Sequence, residues 1–161
     1  MITDTCFKLA RTTDAYRIAY LSRARIEAGL PWTWRPQRVA GAIKAPDVNV
    51  LVASVGDRFA GFCITQFGES CAHHCLLAVS PAFARHGIGT RLVRWQEKVA
   101  LTAGLAHVEL ELRATNTGAL AFYRQLGYRE FAIARGYYSS IEDARRLRHE
   151  IGQNADSSAK E

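Results

Sequence analysis

Apolar and polar positions alternate most clearly at Val108, Glu109, Leu110, Glu111 and Leu112, the period of a strand with one buried face. A strand is therefore predicted over 107–113. The period then changes. Ala119, Phe122, Tyr123 and Leu126 recur as on a helix, which Gly127 stops. A longer helix runs from 89 to about 103 on Leu92, Trp95, Val99 and Ala103, closed by Gly104. Near the start, Ile18, Leu21, Ala24 and Ala28 predict a helix over 15–28, with Thr12, Thr13 and Asp14 offering its N-cap. A loop fixed by Pro31 and Pro36 precedes a short second helix over 39–43. Further strands are predicted over 7–10, 49–54, 58–67, 72–79 and 128–134. The second and third of these are joined at the hairpin dipeptide Gly56-Asp57. Gly61 lies inside a strand, where glycine marks a bulge or a close approach. Ile141, Ala144, Leu147, Arg148 and Ile151 are spaced as on a helix, so the last segment reads against a final strand. No internal repeat or linker interrupts the pattern.

Between the strand at 72–79 and the helix after Gly89 stands Ser80-Pro81-Ala82-Phe83-Ala84-Arg85-His86-Gly87-Ile88-Gly89-Thr90. A glycine turn at a helix start leaves backbone N–H groups pointing outward at the positive end of the dipole, so it can receive phosphate. Gly-x-Gly alone equally suits an ordinary structural turn. It is neither a P-loop, since no Lys-Ser or Lys-Thr follows, nor a dinucleotide fingerprint, since the third glycine is missing.

The combination of this strand–turn–helix with Asn116-x-x-Ala119-x-x-Phe122-Tyr123-x-x-Leu126-Gly127-Tyr128 resembles the GCN5-related N-acetyltransferase (GNAT) superfamily. Within it, the chain is similar to the bacterial enzymes that acetylate the N-terminal alanine of a ribosomal protein. The resemblance runs from about residue 50 to about residue 144. It implies one α/β (α+β) domain over 1–152: a central mixed, largely antiparallel twisted sheet of six to seven strands flanked by about four helices. The small polar tail 153–161 is expected to be disordered.

The resemblance also implies roles. Acetyl-coenzyme A would be the co-substrate, its pyrophosphate on the amides of Arg85, His86, Gly87, Ile88, Gly89 and Thr90. Its pantetheine arm would pair with the backbone of Leu77, Ala78 and Val79. Asn116 matches the asparagine that contacts the pantetheine or orders a water; its other reading is an N-cap for the helix it precedes, and both can hold together. Tyr123 matches the general acid toward the departing thiolate, or else packs its ring in the core. Glu111 matches the base that acts through water, or else belongs with Glu109 to a solvated strand face. Trp32 and Trp34, on one wall of the acceptor groove, and Tyr137 and Tyr138 are the substrate-binding candidates. The alternatives for these are core caps under a loop and a capped hairpin. One departure stands out: the Gln or Arg usual three residues before the first glycine is Ala84 here.

The acceptor can be narrowed by magnitude. Freeing a lysine with pKa ~10.4 of its proton at pH 7 costs about 4.6 kcal/mol, an α-amine with pKa ~7.8 only about 1. One glutamate acting through water suits the α-amine, so a protein or peptide N-terminus is expected. A small amine (polyamine, aminoglycoside or amino acid) and a non-catalytic acyl-coenzyme A sensor are the alternatives.

Composition agrees. The chain of 161 residues, 48% hydrophobic and 22% charged, is that of a soluble globule without an apolar run long enough to span a membrane. Of its 21 basic residues all but four are arginine, and the net charge is +6. That favours phosphate recognition. The arginines are spread along the chain rather than interleaved with aromatics, so no nucleic-acid partner is expected. The N-terminus lacks the basic start and apolar core of a signal peptide, and the four cysteines read as reduced thiols, which places the protein in the cytoplasm. Cys71, His73 and Cys75 would share a strand face, but with no second ligand pair no metal site is expected. The enzymes it resembles occur as monomers and homodimers.

Overall fold

Seven strands and four α-helices lie along residues 4–152, the part of the chain described by the computed structural model. In order they are β1 (Thr5–Leu9), α1 (Ala15–Arg25), α2 (Pro36–Lys44), β2 (Val48–Val55), β3 (Arg58–Phe67), β4 (Cys71–Val79), α3 (Ile88–Thr102), β5 (His107–Arg113), α4 (Thr117–Gln125), β6 (Arg129–Tyr138) and β7 (Glu142–Glu150). The strands form one mixed sheet in the order β1-β2-β3-β4-β5-β7-β6. β4 pairs with β5 in parallel, while β1–β2, β2–β3, β5–β7 and β6–β7 are antiparallel. The fold class expected from the sequence is thereby met. The expectation for 153–161 lies outside the described residues.

The chain divides into two compact units, residues 4–66 with 75–96, and residues 67–74 with 97–152. In the first, β2 is buried on both faces. Val50 and Val52 join Phe62, Ile64, Ile18 and Val39 in one apolar cluster, while Leu51 and Ala53 join Cys63, Phe83, Ile88 and Leu92 in another. This explains why residues 50–53 are continuously apolar instead of alternating. Gln96, fully buried, donates its amide to the carbonyls of Asn49 and Cys63 at 3.3 and 3.2 Å. Gly61 meets both of its expected readings. The β2–β3 register shifts at Ala53/Ser54 opposite it, and a Cβ there would lie 2.7 Å from the Ala78 carbonyl oxygen. The expected cap of α1 is different in form. Residues Thr12–Asp14 make a 3-10 turn, and the Asp14 carboxylate accepts from the Arg11 N–H at 2.8 Å.

In the second unit the last segment corrects the helical reading of 141–151: it is strand β7. Ala144 and Leu147 are both fully buried, and the β5–β7 register runs unbroken from Ala144 to Glu150. Successive strand residues alternate faces, so a spacing of three reports burial on both faces of a strand between two others. Its arginines are held by acids of those neighbours: Arg145 by Glu130, Arg146 by Glu109 and Glu111, Arg148 by Glu109. Tertiary pairing thus outweighs the absence of β-branched residues.

Candidate active site

In the first unit the chain leaves β4 at Ser80 and makes a 3-10 turn, Pro81–Phe83, whose Phe83 is buried. Residues 84–87 are exposed, and α3 begins at the buried Ile88. Arg85 and Gly87 have φ of 63° and 77°, the left-handed region. Arg85 is a non-glycine held there at a cost of about 1 kcal/mol. A Cβ on Gly87 would meet nothing within 4 Å, so this glycine is required for its dihedral and the space beside it is open. An exposed turn ahead of a 15-residue helix, with open space at its glycine, fits a phosphate group. Ala78 is buried in one apolar cluster, and Leu77 and Val79 pack against the other.

The loop after α1 is tied down by a residue that the sequence pattern does not flag. Glu27, buried, accepts the N–H of Thr33 at 3.1 Å, the N–H of Trp34 at 3.2 Å and the Thr33 hydroxyl. Trp32 and Trp34 are half-buried against the core. Arg23 and Arg35 lie over the ring of Trp32 and Arg38 over that of Trp34, 3.9 Å from its centroid. Their packing role is therefore met.

The second unit gathers charge on one face of β4, β5 and β7. Glu111, its side chain 9% exposed, meets the His73 imidazole with one carboxylate oxygen, and Arg146 Nε lies 3.4 Å from the other. Glu109 is engaged differently. Burial acts to raise its carboxyl, but the Arg148 hydrogen bond and charge, with His107 and Arg146, overcome this and hold it below the usual carboxylate range. The two glutamates do not form the solvated face that their alternation allowed. Sequence reasoning took His73 as ordinary strand packing; its only signal was its parity with Cys71 and Cys75.

Tyr138 is half-buried beside Tyr137, with ring centroids 4.9 Å apart, and Tyr137 is exposed. Burial, then the neighbouring Tyr137 and Glu111, push the Tyr138 phenol well up, so it stays protonated and cannot serve as a base. At the start of β7 Glu142, the strand partner of Tyr138, accepts from the Arg113 guanidinium at 2.6 Å and from Thr115. Asn116 caps α4, its side-chain oxygen accepting the Ala119 N–H at 3.1 Å. Tyr123, on that helix, is 5% exposed and meets Phe122 and Tyr128 edge-on. Both its core packing and a buried phenol are thus present.

Behind this face Tyr128 donates to Glu97 at 2.8 Å. A hydroxyl has one proton, so at the 3.2 Å contact with Tyr128 the His74 Nε2 must be the donor. Burial, and then the charge of His73, push His74 down to about 3, and it is neutral.

Cys71, His107 and Glu109 bring ligand atoms within 4.8 Å of one another, a grouping other than the Cys71, His73 and Cys75 set read from one strand. Arg148 and Arg146 already hold Glu109, and their charge opposes a divalent cation. Burial, with Glu109, raises the Cys71 thiol and keeps it protonated. Among the described residues no helix is long and apolar enough to cross a membrane.

The chain is 37% identical over 92 residues to the [ribosomal protein bS18]-alanine N-acetyltransferase of Salmonella typhimurium, a match over 57% of this chain and 62% of that enzyme. It is 31% identical over 144 residues to the N-alpha-acetyltransferase RimI of Mycobacterium tuberculosis, 86% of this chain and 88% of that one. The crystal structure of the ribosomal-protein-S18-alanine N-acetyltransferase from Escherichia coli superposes with a TM-score of 0.78 at 26% identity, covering 95% of this chain and 97% of that one. With residues 9–128 matching the family model for the acetyltransferase (GNAT) family, the chain belongs to that family.

Proposed function

We propose that the protein is an acetyl-coenzyme A-dependent N-acetyltransferase whose acceptor is the N-terminal α-amine of a protein or peptide, which attacks the thioester directly. The observation that carries this reading is Glu111, a nearly buried carboxylate set between an imidazole and a guanidinium. Neighbouring groups support it by elimination. Glu109 is held by Arg148, and the Tyr138 phenol and the Cys71 thiol both keep their protons. A protonated Cys71 thiol also argues against an acetyl-cysteine route. The relatives are named for α-amine acetylation, and the low cost of freeing an α-amine of its proton suits a single carboxylate acting through water.

In this reading the domain is residues 1–152 and acetyl-coenzyme A supplies the activated acetyl group as a thioester. Arg85, His86, Gly87, Ile88, Gly89 and Thr90 hold phosphate. The backbone of Leu77, Ala78 and Val79, with Asn116, holds the arm, and one amide there polarises the carbonyl. Glu111 takes the proton of the acceptor ammonium through water. Tyr123 gives its proton toward sulfur and regains one from the nitrogen that has become an amide. Trp32, Trp34, Tyr137 and Tyr138 line the acceptor. The enzyme works in the cytoplasm as a monomer or homodimer and needs no metal, membrane or nucleic acid.

The test is thiol release from acetyl-coenzyme A against alanine-starting peptides, Nα-blocked lysine peptides and small amines, repeated with Tyr123→Phe and Glu111→Gln. Turnover is expected on the free α-amine, reduced about 10²-fold or more in each variant. Turnover on small amines alone would replace the acceptor. Binding without turnover on any amine would make the protein a sensor.

A further inference from the structure

Arginines are spread along the whole chain, but acids are not: residues 1–44 hold eight of the 21 lysines and arginines and only three of the 15 acids. Two of those three are buried and engaged. Asp14 takes the Arg11 N–H and Arg17, and Glu27 takes the loop at Thr33 and Trp34. The first unit folds the remaining cations onto aromatic rings. Tyr16, Tyr20 and Arg23 recur at i, i+4 and i+7 along one stripe of α1. Tyr16 and Tyr20 are 65% and 53% exposed with centroids 6.4 Å apart, and Trp32 continues the row 5.4 Å from Tyr20. Arg23 and Arg35 stand 4.8 and 5.0 Å from the centroid of Trp32, and Arg38 covers Trp34 at the start of α2. The interleaving of cations with aromatics that is absent from the sequence is thus present in the fold.

A ring face holds a guanidinium in place without neutralising it. Among the described residues no carboxylate lies within ion-pair distance of Arg23, Arg35 or Arg38, whereas Arg113, Arg145, Arg146 and Arg148 are each held by a glutamate. The first three therefore keep their charge and N–H donors for an external anion, with part of their side-chain freedom already lost. The exposed tyrosine faces beside them narrow the choice. An acidic peptide brings charge but no planar groups to stack. An anionic membrane surface favours exposed Trp, Phe and Leu, and the exposed rings here carry hydroxyls. A nucleic-acid strand brings phosphates and planar bases together, provided that its bases are unpaired. A ribose 2′-hydroxyl adds a partner for the tyrosine hydroxyls that DNA lacks. We infer that the face formed by α1, the loop after it and the start of α2 binds single-stranded RNA, its bases on Tyr16 and Tyr20 and its phosphates on Arg23, Arg35 and Arg38. This surface is separate from the reading of Glu111 and Tyr123, and acetyl transfer to a peptide in solution does not require it.

The experiment measures binding of a fluorescein-labelled dodecauridylate to the full chain by anisotropy between 50 and 200 mM salt. Three neutralised phosphates predict a slope of log K against log salt of about −2, a loss of about 20-fold over that range. The combined Arg23→Gln, Arg35→Gln and Arg38→Gln variant should bind about tenfold or more weakly at 50 mM and flatten the slope. Tyr16→Leu with Tyr20→Leu keeps apolar bulk and removes the stacking faces. It should lose about tenfold with the slope unchanged. Lys98→Gln, Arg129→Gln and Arg135→Gln together remove the same charge from exposed positions elsewhere and should leave binding within twofold. Should the arginine variant fold poorly, the tyrosine pair decides. Duplex RNA, and DNA of the same length, should bind at least threefold more weakly. No binding at 50 mM salt, or an equal loss in the Lys98, Arg129 and Arg135 variant, would overturn the surface. Full affinity in the tyrosine pair would overturn base stacking and the proposal with it. Equal binding of duplex RNA or DNA, or tighter binding of a polyglutamate peptide or of phosphatidylserine vesicles, would overturn single-stranded RNA as the occupant.

Discussion

Acid should destabilise this protein well above the pH at which its carboxylates protonate, and His74 is the reason. The imidazole is buried, donates to Tyr128, and titrates at about 3 in the fold against 6.5 in the unfolded chain. A base whose folded value is depressed contributes its full stability above the unfolded value. That stability drains away as pH falls from 6.5 and is gone at about 3. Between pH 8 and pH 5 the unfolded state gains the binding energy of nearly one proton while the folded state gains almost none. The loss is therefore about 2 kcal/mol, or roughly 4–8 °C in Tm for a chain of this size. His74→Gln keeps a side-chain N–H for Tyr128 and removes the titration. Chemical denaturation at pH 8, 6.5 and 5 should show the variant less stable at pH 8, with the two proteins converging toward pH 5. Other groups that titrate in both proteins cancel in the difference. If the two curves stay parallel over that range, the buried neutral histidine does not couple to folding and the reasoning fails.

Two further perturbations test how the binding segments are held. Gly61→Ala places a methyl 2.7 Å from the Ala78 carbonyl and 3.2 Å from Val79 Cα. It should cost about 1–3 kcal/mol in denaturation and raise KM for acetyl-coenzyme A; unchanged stability would mean that β3 and β4 part freely there. Glu27→Gln removes the charge that gathers Thr33 and Trp34. It should cost about 1–3 kcal/mol and redshift tryptophan emission before global unfolding, whereas a spectrum and midpoint like wild type would deny the loop its buttress.

The sequence was legible wherever one face or one turn carried the information. The alternation of 107–113, the helix of Tyr123, the Gly56-Asp57 hairpin and the glycine turn all stand where their patterns place them. β7 was illegible because its burial is decided by two neighbouring strands, and Ala144 and Leu147 mimic a helical period from opposite faces. At the candidate site, Glu111 and Tyr123 followed from a motif. Their surroundings did not, because the contacts bridge long separations in sequence: 38 residues from His73 to Glu111, 31 from Glu97 to Tyr128. Glu27 was missed for another reason. A single acid at the end of a helix has no period, and only the backbone N–H groups of the following loop make its burial favourable.

The most direct measurement is a crystal structure of the protein with coenzyme A and an alanine-starting peptide. The account predicts phosphate on the amides of residues 85–90, the Tyr123 hydroxyl within one water of sulfur, and the peptide α-nitrogen within one water of a Glu111 oxygen. A peptide seated elsewhere, a phenol farther than one water from sulfur, or no coenzyme A at saturating concentration would contradict it.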